Sequence, residues 1–134
     1  MIVLDASAAV EFLLNTPLGE RVGDRLAAGP TSLHAPQLLD VEVLHVLRRL
    51  CLGRVVSERR AAQALADLAE LPVIRYSHEE LIWRAWTLRA TLTPYDAMYV
   101  ALAEALEAAV VTCDGRLARA HGHQIEVEVI GLAS

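Results

Sequence analysis

Four carboxylates, Asp5, Glu42, Asp96 and Asp114, stand at points in the chain where element ends are expected, and carboxylates gathered in one place bind hard cations. The 18 positions from Asp96 to Asp114 pair an apolar helix with a short apolar strand. A helix from Asp96 to Glu107 rises ~16 Å, and a five-residue strand covers about the same distance back, so both acids return to one level of the fold. Asp5 directly follows the apolar run Ile2-Val3-Leu4, and Glu42 lies early in a helix that also follows a strand. In open parallel sheets, sites form outside the carboxyl ends of the strands, the edge to which all four acids are assigned.

Each acid also has a local explanation. Asp5 can cap the helix that follows it, and Asp114-Gly115 is a common turn dipeptide. Asp96, three residues after Thr93, can serve as the acidic partner of a capping box, and Glu42 can be a charge on the edge of an amphipathic helix. Taken together these explanations do less well. Four clustered carboxylates repel one another and would stay partly protonated unless they shared a cation, and oxygen donors without convergent His or Cys select Mg²⁺, with Mn²⁺ as a substitute, over zinc. Ser7 and Thr112 could orient a water or a phosphate beside that set, and Arg116 and Arg119, next to Asp114, could contact phosphate or balance the acids.

The elements that must position these residues follow from capping and periodicity. Helices are expected over Ala6 to Leu14, from Thr16-Pro17 to about Gly29, over Pro36 to Leu52, over Glu58 to Glu70, from a Ser77/Glu80 capping box through Leu88, from Thr93-Pro94 to about Glu107, and near Gly115 to Ala120. Leu39, Val43, Val46, Leu47 and Leu50 form the core face of the third. Ala62, Leu65, Ala66 and Ala69 are expected inward on the fourth, and Leu81, Ile82, Ala85, Trp86 and Leu88 on the fifth, with Trp83 and Trp86 as packing residues. Strands are expected at Ile2 to Leu4, Thr31 to His34, Val73 to Tyr76, Ala109 to Cys113 and, at an edge, Val127 to Ile130. This alternation implies an α/β protein, a three-layer α/β/α sandwich around a mainly parallel sheet, forming one domain over 1–134.

Composition narrows the function classes. With 134 residues, 54% of them hydrophobic, a substantial core is available. The longest run free of Asp, Glu, Lys and Arg, Leu26 to Leu39, contains Gly29, Pro30 and Pro36, so no membrane span is expected. The N-terminal residues lack a signal-peptide pattern, and Cys51 and Cys113 match neither a metal spacing nor a disulfide framework, so the cytoplasm is the expected location. A net charge of −5 argues against nucleic-acid binding by bulk electrostatics alone. All twelve basic residues are arginine. A phosphoacceptor receiver domain therefore lacks its lysine, and an Asp-x-Asp phosphatase would need an acid where Ser7 stands. Glu42 and His45 make one Glu-x-x-His pair, but a carboxylate di-iron bundle needs two and has no strands.

Ile-Val-Leu-Asp-Ala-Ser at 2–7, Pro-Gln-Leu-Leu-Asp-Val-Glu-Val at 36–43 with Leu-Arg-Arg at 47–49, Thr-Pro-Tyr-Asp-Ala-Met-Tyr-Val-Ala-Leu-Ala at 93–103 and Val-Val-Thr-Cys-Asp at 110–114 together resemble PIN-domain ribonucleases, specifically VapC-type toxins of toxin–antitoxin modules. Two positions depart from that pattern: His45 stands where asparagine or a small residue is expected, and Gly115 where a polar or basic residue is. The resemblance implies a Mg²⁺-dependent endoribonuclease with Asp5, Glu42, Asp96 and Asp114 as its acidic metal-binding set and Ser7 and Thr112 close by. It further implies RNA, of the tRNA or rRNA class, as substrate, a cognate antitoxin as inhibitor, and a homodimer. Metal ions there would lower the pKa of an attacking water and turn a repulsive acidic pocket into a phosphate site, with Arg116, Arg119 or the Arg48-Arg49 pair holding flanking phosphates. The alternative reading is a noncatalytic PIN-like module that binds RNA or protein, which the loss of one of the four acids would favour; all four are present.

Overall fold

Five short strands lie parallel in a single sheet of order β3-β2-β1-β4-β5, in a computed structural model that describes residues 1–132. The strands are β1 (Ile2–Leu4), β2 (Leu33–Pro36), β3 (Val73–Tyr76), β4 (Ala109–Thr112) and β5 (Val127–Val129). Between them run α1 (Ala6–Leu14), α2 (Pro17–Ala27), α3 (Leu38–Leu52), α4 (Glu58–Glu70), a 3-10 turn (Glu79–Leu81), α5 (Ile82–Thr87), α6 (Pro94–Leu106) and α7 (Arg116–Arg119). The architecture is the expected parallel sheet with helices on both sides. Ala133 and Ser134, the end of the expected 1–134 domain, lie outside the described residues.

Alternation along the central strands divides the core into two layers. Ile2, Leu4 and Val111 pack with Ala9, Leu13, Leu39, Val43, Ala64 and Leu68 from α1, α3 and α4. Val3 and Val110 point the other way, against Ala85, Val100, Leu102 and Leu117. The chain moves from β1 to β2 and β3 on one side and to β4 and β5 on the other. The direction of winding therefore reverses between β1 and β4, where Leu4 pairs with Val111. That reversal opens a crevice at the carboxyl ends of the two strands.

Several boundaries and faces differ from expectation. Pro36 ends β2 instead of opening α3, and Gln37 precedes the helix without a side-chain cap. Proline supplies no N–H to the ladder, so it fits a strand end as well as a first helical turn. The inward stripe of α4 is Ala61, Ala64 and Leu68, one residue earlier than the alanine pattern suggested. Ser77 accepts the Glu79 N–H at 3.2 Å and opens a 3-10 turn in place of the capping box. On α5 and the residues flanking it, Leu81, Ala85 and Leu88 face the core, while Ile82, Trp83 and Trp86 are 50%, 79% and 58% exposed, contrary to their expected packing role. An i, i+4, i+7 stripe is narrow enough that residues one position further round point outward. Gly19 lies where α2 crosses α1; a Cβ there would sit 1.9 Å from the Glu11 carbonyl oxygen, so glycine permits the contact.

Candidate active site

Asp5 ends β1 and caps α1, its Oδ1 accepting the Ala8 N–H at 3.0 Å. The capping role is real, and it leaves the rest of the carboxylate to other partners. Ser7 Oγ donates to Oδ1 at 2.7 Å, and Thr112 Oγ1 donates to Oδ2. Ser7 Oγ in turn accepts the Cys113 N–H at 2.9 Å, and Thr112 Oγ1 accepts the Asp114 N–H at 2.9 Å. The two hydroxyl oxygens are 3.1 Å apart. One pair of hydroxyls thereby locks the ends of β1 and β4 together with Asp5 between them. Asp5 is only 7% exposed and Thr112 is fully buried, so each lost partner would leave a desolvated polar atom.

Asp5, Glu42, Asp96 and Asp114 all line one open cleft of about 360 Å³, together with Ser7, His45, Arg49, Tyr99 and Arg116. Asp96 sits in the first turn of α6, whose N-cap Thr93 accepts the Asp96 N–H at 3.3 Å. Among the described residues no reciprocal bond runs from the Asp96 carboxylate to the Thr93 N–H, so the capping box is half formed, and Asp96 lines the cleft. Glu42 Oε1 accepts the Tyr99 hydroxyl at 2.7 Å. Asp114 is bound by Arg116, through the backbone N–H at 3.0 Å and Nε at 2.8 Å.

These environments set opposite protonation tendencies. Burial raises the Asp5 carboxyl pKa, against the lowering by Thr112, Ala8 and Ser7. Burial also raises Glu42, opposed by the Tyr99 hydroxyl and reinforced by Asp5 and Asp96, and raises Asp96, where Arg116 opposes and Asp114 reinforces. Asp114 is lowered, chiefly by its hydrogen bond from Arg116. Burial and then the Glu42 charge push the Tyr99 phenol upward, so it remains a donor. Burial likewise pushes the Cys113 thiol up to about 11, which leaves little thiolate at neutral pH.

A stability prediction follows. Three groups whose folded pKa is raised bind more protons folded than unfolded, so their contribution is fully present below the unfolded carboxylate range and is lost as pH rises through their raised values. Asp114 has the opposite sign, its contribution being lost as pH falls through its depressed value. The metal-free protein is expected to lose thermal stability as pH rises from the unfolded carboxylate range through the folded values of Asp5, Glu42 and Asp96. The loss should be blunted in Asp5→Asn. Thermal melts across that window check it; a rising stability would contradict the arrangement of acids.

The donor set is four carboxylates and two hydroxyls, the chemistry of a hard divalent ion. The spacing is open: among the described residues no three His, Cys, Asp or Glu groups stand close enough to enclose an ion as arranged. Four carboxylates line the cleft against two arginines, Arg49 and Arg116, an excess of acid that a cation would relieve, so the residues fit such an ion by chemistry.

Of the expected phosphate contacts, Arg116 reaches the cleft but is engaged with Asp114. Arg119 does not line it, and its Nη1 lies 3.0 Å from where a Cβ on Gly115 would stand. Arg49 lines the cleft and Arg48 does not. Tyr99, which fixes Glu42, was not singled out in the sequence. Its signal was its place three residues after Asp96, on the same face of α6.

The PIN domain family model matches residues 2–122. Ribonuclease VapC12 of Mycobacterium tuberculosis is 44% identical over 130 residues, 97% of this chain and 99% of that protein. Among solved structures, Mycobacterium tuberculosis VapC20, described as a Sarcin-Ricin loop cleaving toxin, superposes with a TM-score of 0.69 at 18% identity, covering 89% of this chain and 94% of that one. VapBC2 from Rickettsia felis, bound to a DNA fragment from their promoter, gives 0.67 at 15% identity, covering 95% and 98%. Structural likeness at such identities speaks for the fold; the family match and the identity to VapC12 carry the assignment further. With Asp5, Glu42, Asp96 and Asp114 on one cleft of that fold, the chain belongs to the PIN-domain family and, within it, to the VapC-type ribonuclease toxins.

Proposed function

We propose that this protein is a Mg²⁺-dependent endoribonuclease, the toxin of a toxin–antitoxin pair, that hydrolyses a phosphodiester in RNA of the tRNA or rRNA class. The observation that carries the reading is the convergence of Asp5, Glu42, Asp96 and Asp114 on one cleft between β1, α3, α6 and β4. Those four would hold the cation, with Mn²⁺ as a substitute. Once bound, it would activate a water for attack and neutralise charge on the phosphate.

The chain's own residues prepare that chemistry. Ser7 and Thr112 hold Asp5 in one orientation, and Tyr99 holds one oxygen of Glu42, the other having no hydrogen bond among the described residues. Arg49 and Arg116 are the cations on the cleft wall, and a phosphate could take the Arg116 guanidinium from Asp114. These local charges let a chain of net charge −5 receive a polyanion. A cognate antitoxin as inhibitor, a homodimer and a cytoplasmic location complete the proposal; among the described residues no helix is long and apolar enough to cross a membrane.

Purified protein freed of antitoxin should cut structured RNA with Mg²⁺ or Mn²⁺ and fail to do so in EDTA, and sequencing the RNA ends produced on induction would identify the target. Full activity in EDTA would sink the reading. The metal-free protein should also melt at higher temperature when millimolar Mn²⁺ is added, because an ion that binds only the native state shifts unfolding. Asp96→Asn should shrink that shift, and no shift in either protein would argue against a preformed metal site.

A further inference from the structure

Beside the acid cleft, and sharing Glu42 and His45 with it, lies a second hollow of about 440 Å³ lined by Leu38, Val41, Glu42, His45 and Tyr95. We propose that this hollow receives a nucleobase flanking the cleaved phosphodiester, with the Tyr95 ring as its stacking surface. The inference rests on the ribonuclease reading of the adjoining cleft.

Three features support a base in preference to other occupants. The first is position. Tyr95 is the residue before Asp96 on α6, and Glu42 and His45 form a wall common to both hollows, so a base here belongs to a nucleotide whose phosphate lies at the acids. The second is composition. Leu38, Val41 and Tyr95 offer apolar surface to a planar ring, while His45 offers a hydrogen-bonding edge, the combination by which unpaired bases are held on proteins. The third is availability. Tyr95 is 59% exposed and Val41 61%, and the Tyr95 hydroxyl makes no hydrogen bond among the described residues, so neither side chain is committed to the fold.

The other exposed aromatics are placed differently. Trp83 and Trp86 lie on α5, where the Arg89 guanidinium already stacks 4.4 Å over the Trp86 ring, and neither lines the acid cleft or the hollow next to it. A base-binding role therefore falls to Tyr95. The apolar wall holds no arginine, so this contact would contribute affinity without adding to the salt dependence set by phosphate contacts.

The test separates binding from cleavage by working in Asp96→Asn protein and measuring anisotropy of a short fluorescein-labelled single-stranded RNA. Adding Tyr95→Ala should weaken binding about 5- to 160-fold, the range for losing one stacked base. Tyr95→Phe and Tyr95→Trp should retain affinity, and the slope of affinity against salt should be the same in all four proteins. In protein with Asp96 intact, Tyr95→Ala should raise KM more than it lowers kcat. Unchanged RNA affinity in Tyr95→Ala would overturn the proposal. So would loss of affinity that tracks a change of oligomeric state by light scattering, since the face would then join two copies of this chain. Stacking loss in a protein that cleaves no RNA would uphold the base site and reject the ribonuclease reading instead.

Discussion

Asp96→Asn is expected to reduce RNA cleavage by at least about 10³-fold, equivalent to about 4 kcal/mol of transition-state stabilisation, while leaving the protein folded. Asp96 is the acid whose environment is least explained by the fold. Its backbone N–H is satisfied by Thr93, and burial together with the nearby Asp114 charge holds its pKa up against the Arg116 charge and the Thr93 side chain. The amide keeps size and shape but cannot supply an anionic ligand. Cleavage assayed in Mg²⁺ beside a thermal melt distinguishes lost chemistry from lost structure. Wild-type rates in a folded Asp96→Asn protein would remove Asp96 from the catalytic set, whereas a wild-type chain that cuts no RNA in Mg²⁺ would belong to the noncatalytic, binding class.

Thr112→Val is expected to cost roughly 2–4 kcal/mol of stability, lowering Tm by on the order of 10 °C, and to impair cleavage in whatever protein remains folded. Valine matches threonine in shape, so the cost comes from hydrogen bonds alone. It removes the donor to Asp5 Oδ2 and the acceptor of the Asp114 N–H, in a place with no access to water. Thr112→Ser restores the hydroxyl and should recover most of the loss. Equal melting of the valine and serine variants would mean that packing, not the hydroxyl, is what position 112 supplies. The contrast with Asp96 is instructive: one residue is spent on the fold to aim two acids, and the other is left unspent.

Much of this was legible in the chain. Asp96 and Asp114 fall at one edge because a helix and a strand of matched length must return to the same level, Asp5 falls there because it ends a strand, and the cleft contains all three together with Glu42. The Ser7 and Thr112 hydroxyls were recognised beside them, though their network with Asp5 depends on β1 and β4 being neighbours, which a list of strands does not state. The misplacements share a physical origin. Pro36 fits a strand end as well as a helix start, the alanine-rich α4 carries two stripes of nearly equal apolarity, and Ile82, Trp83 and Trp86 are apolar without being inside. Side-chain hydrophobicity reports what can be buried, and only packing decides what is. Arg119 illustrates the same limit for charge, since adjacency in sequence to Asp114 did not bring it into the cleft.

The sheet order has a temporal consequence. β1 is made first, yet one of its two ladders is with β4, and the hydroxyl that holds Asp5 from that side belongs to Thr112. A nascent chain that has emerged only through α5 contains Asp5 and Glu42 and lacks Asp96 and Asp114. Such long-range pairings close late because loop entropy must be overcome before they form. The acid cluster thus cannot be assembled until most of the chain has left the ribosome, so during its own synthesis the protein is carried as two incomplete halves of a site.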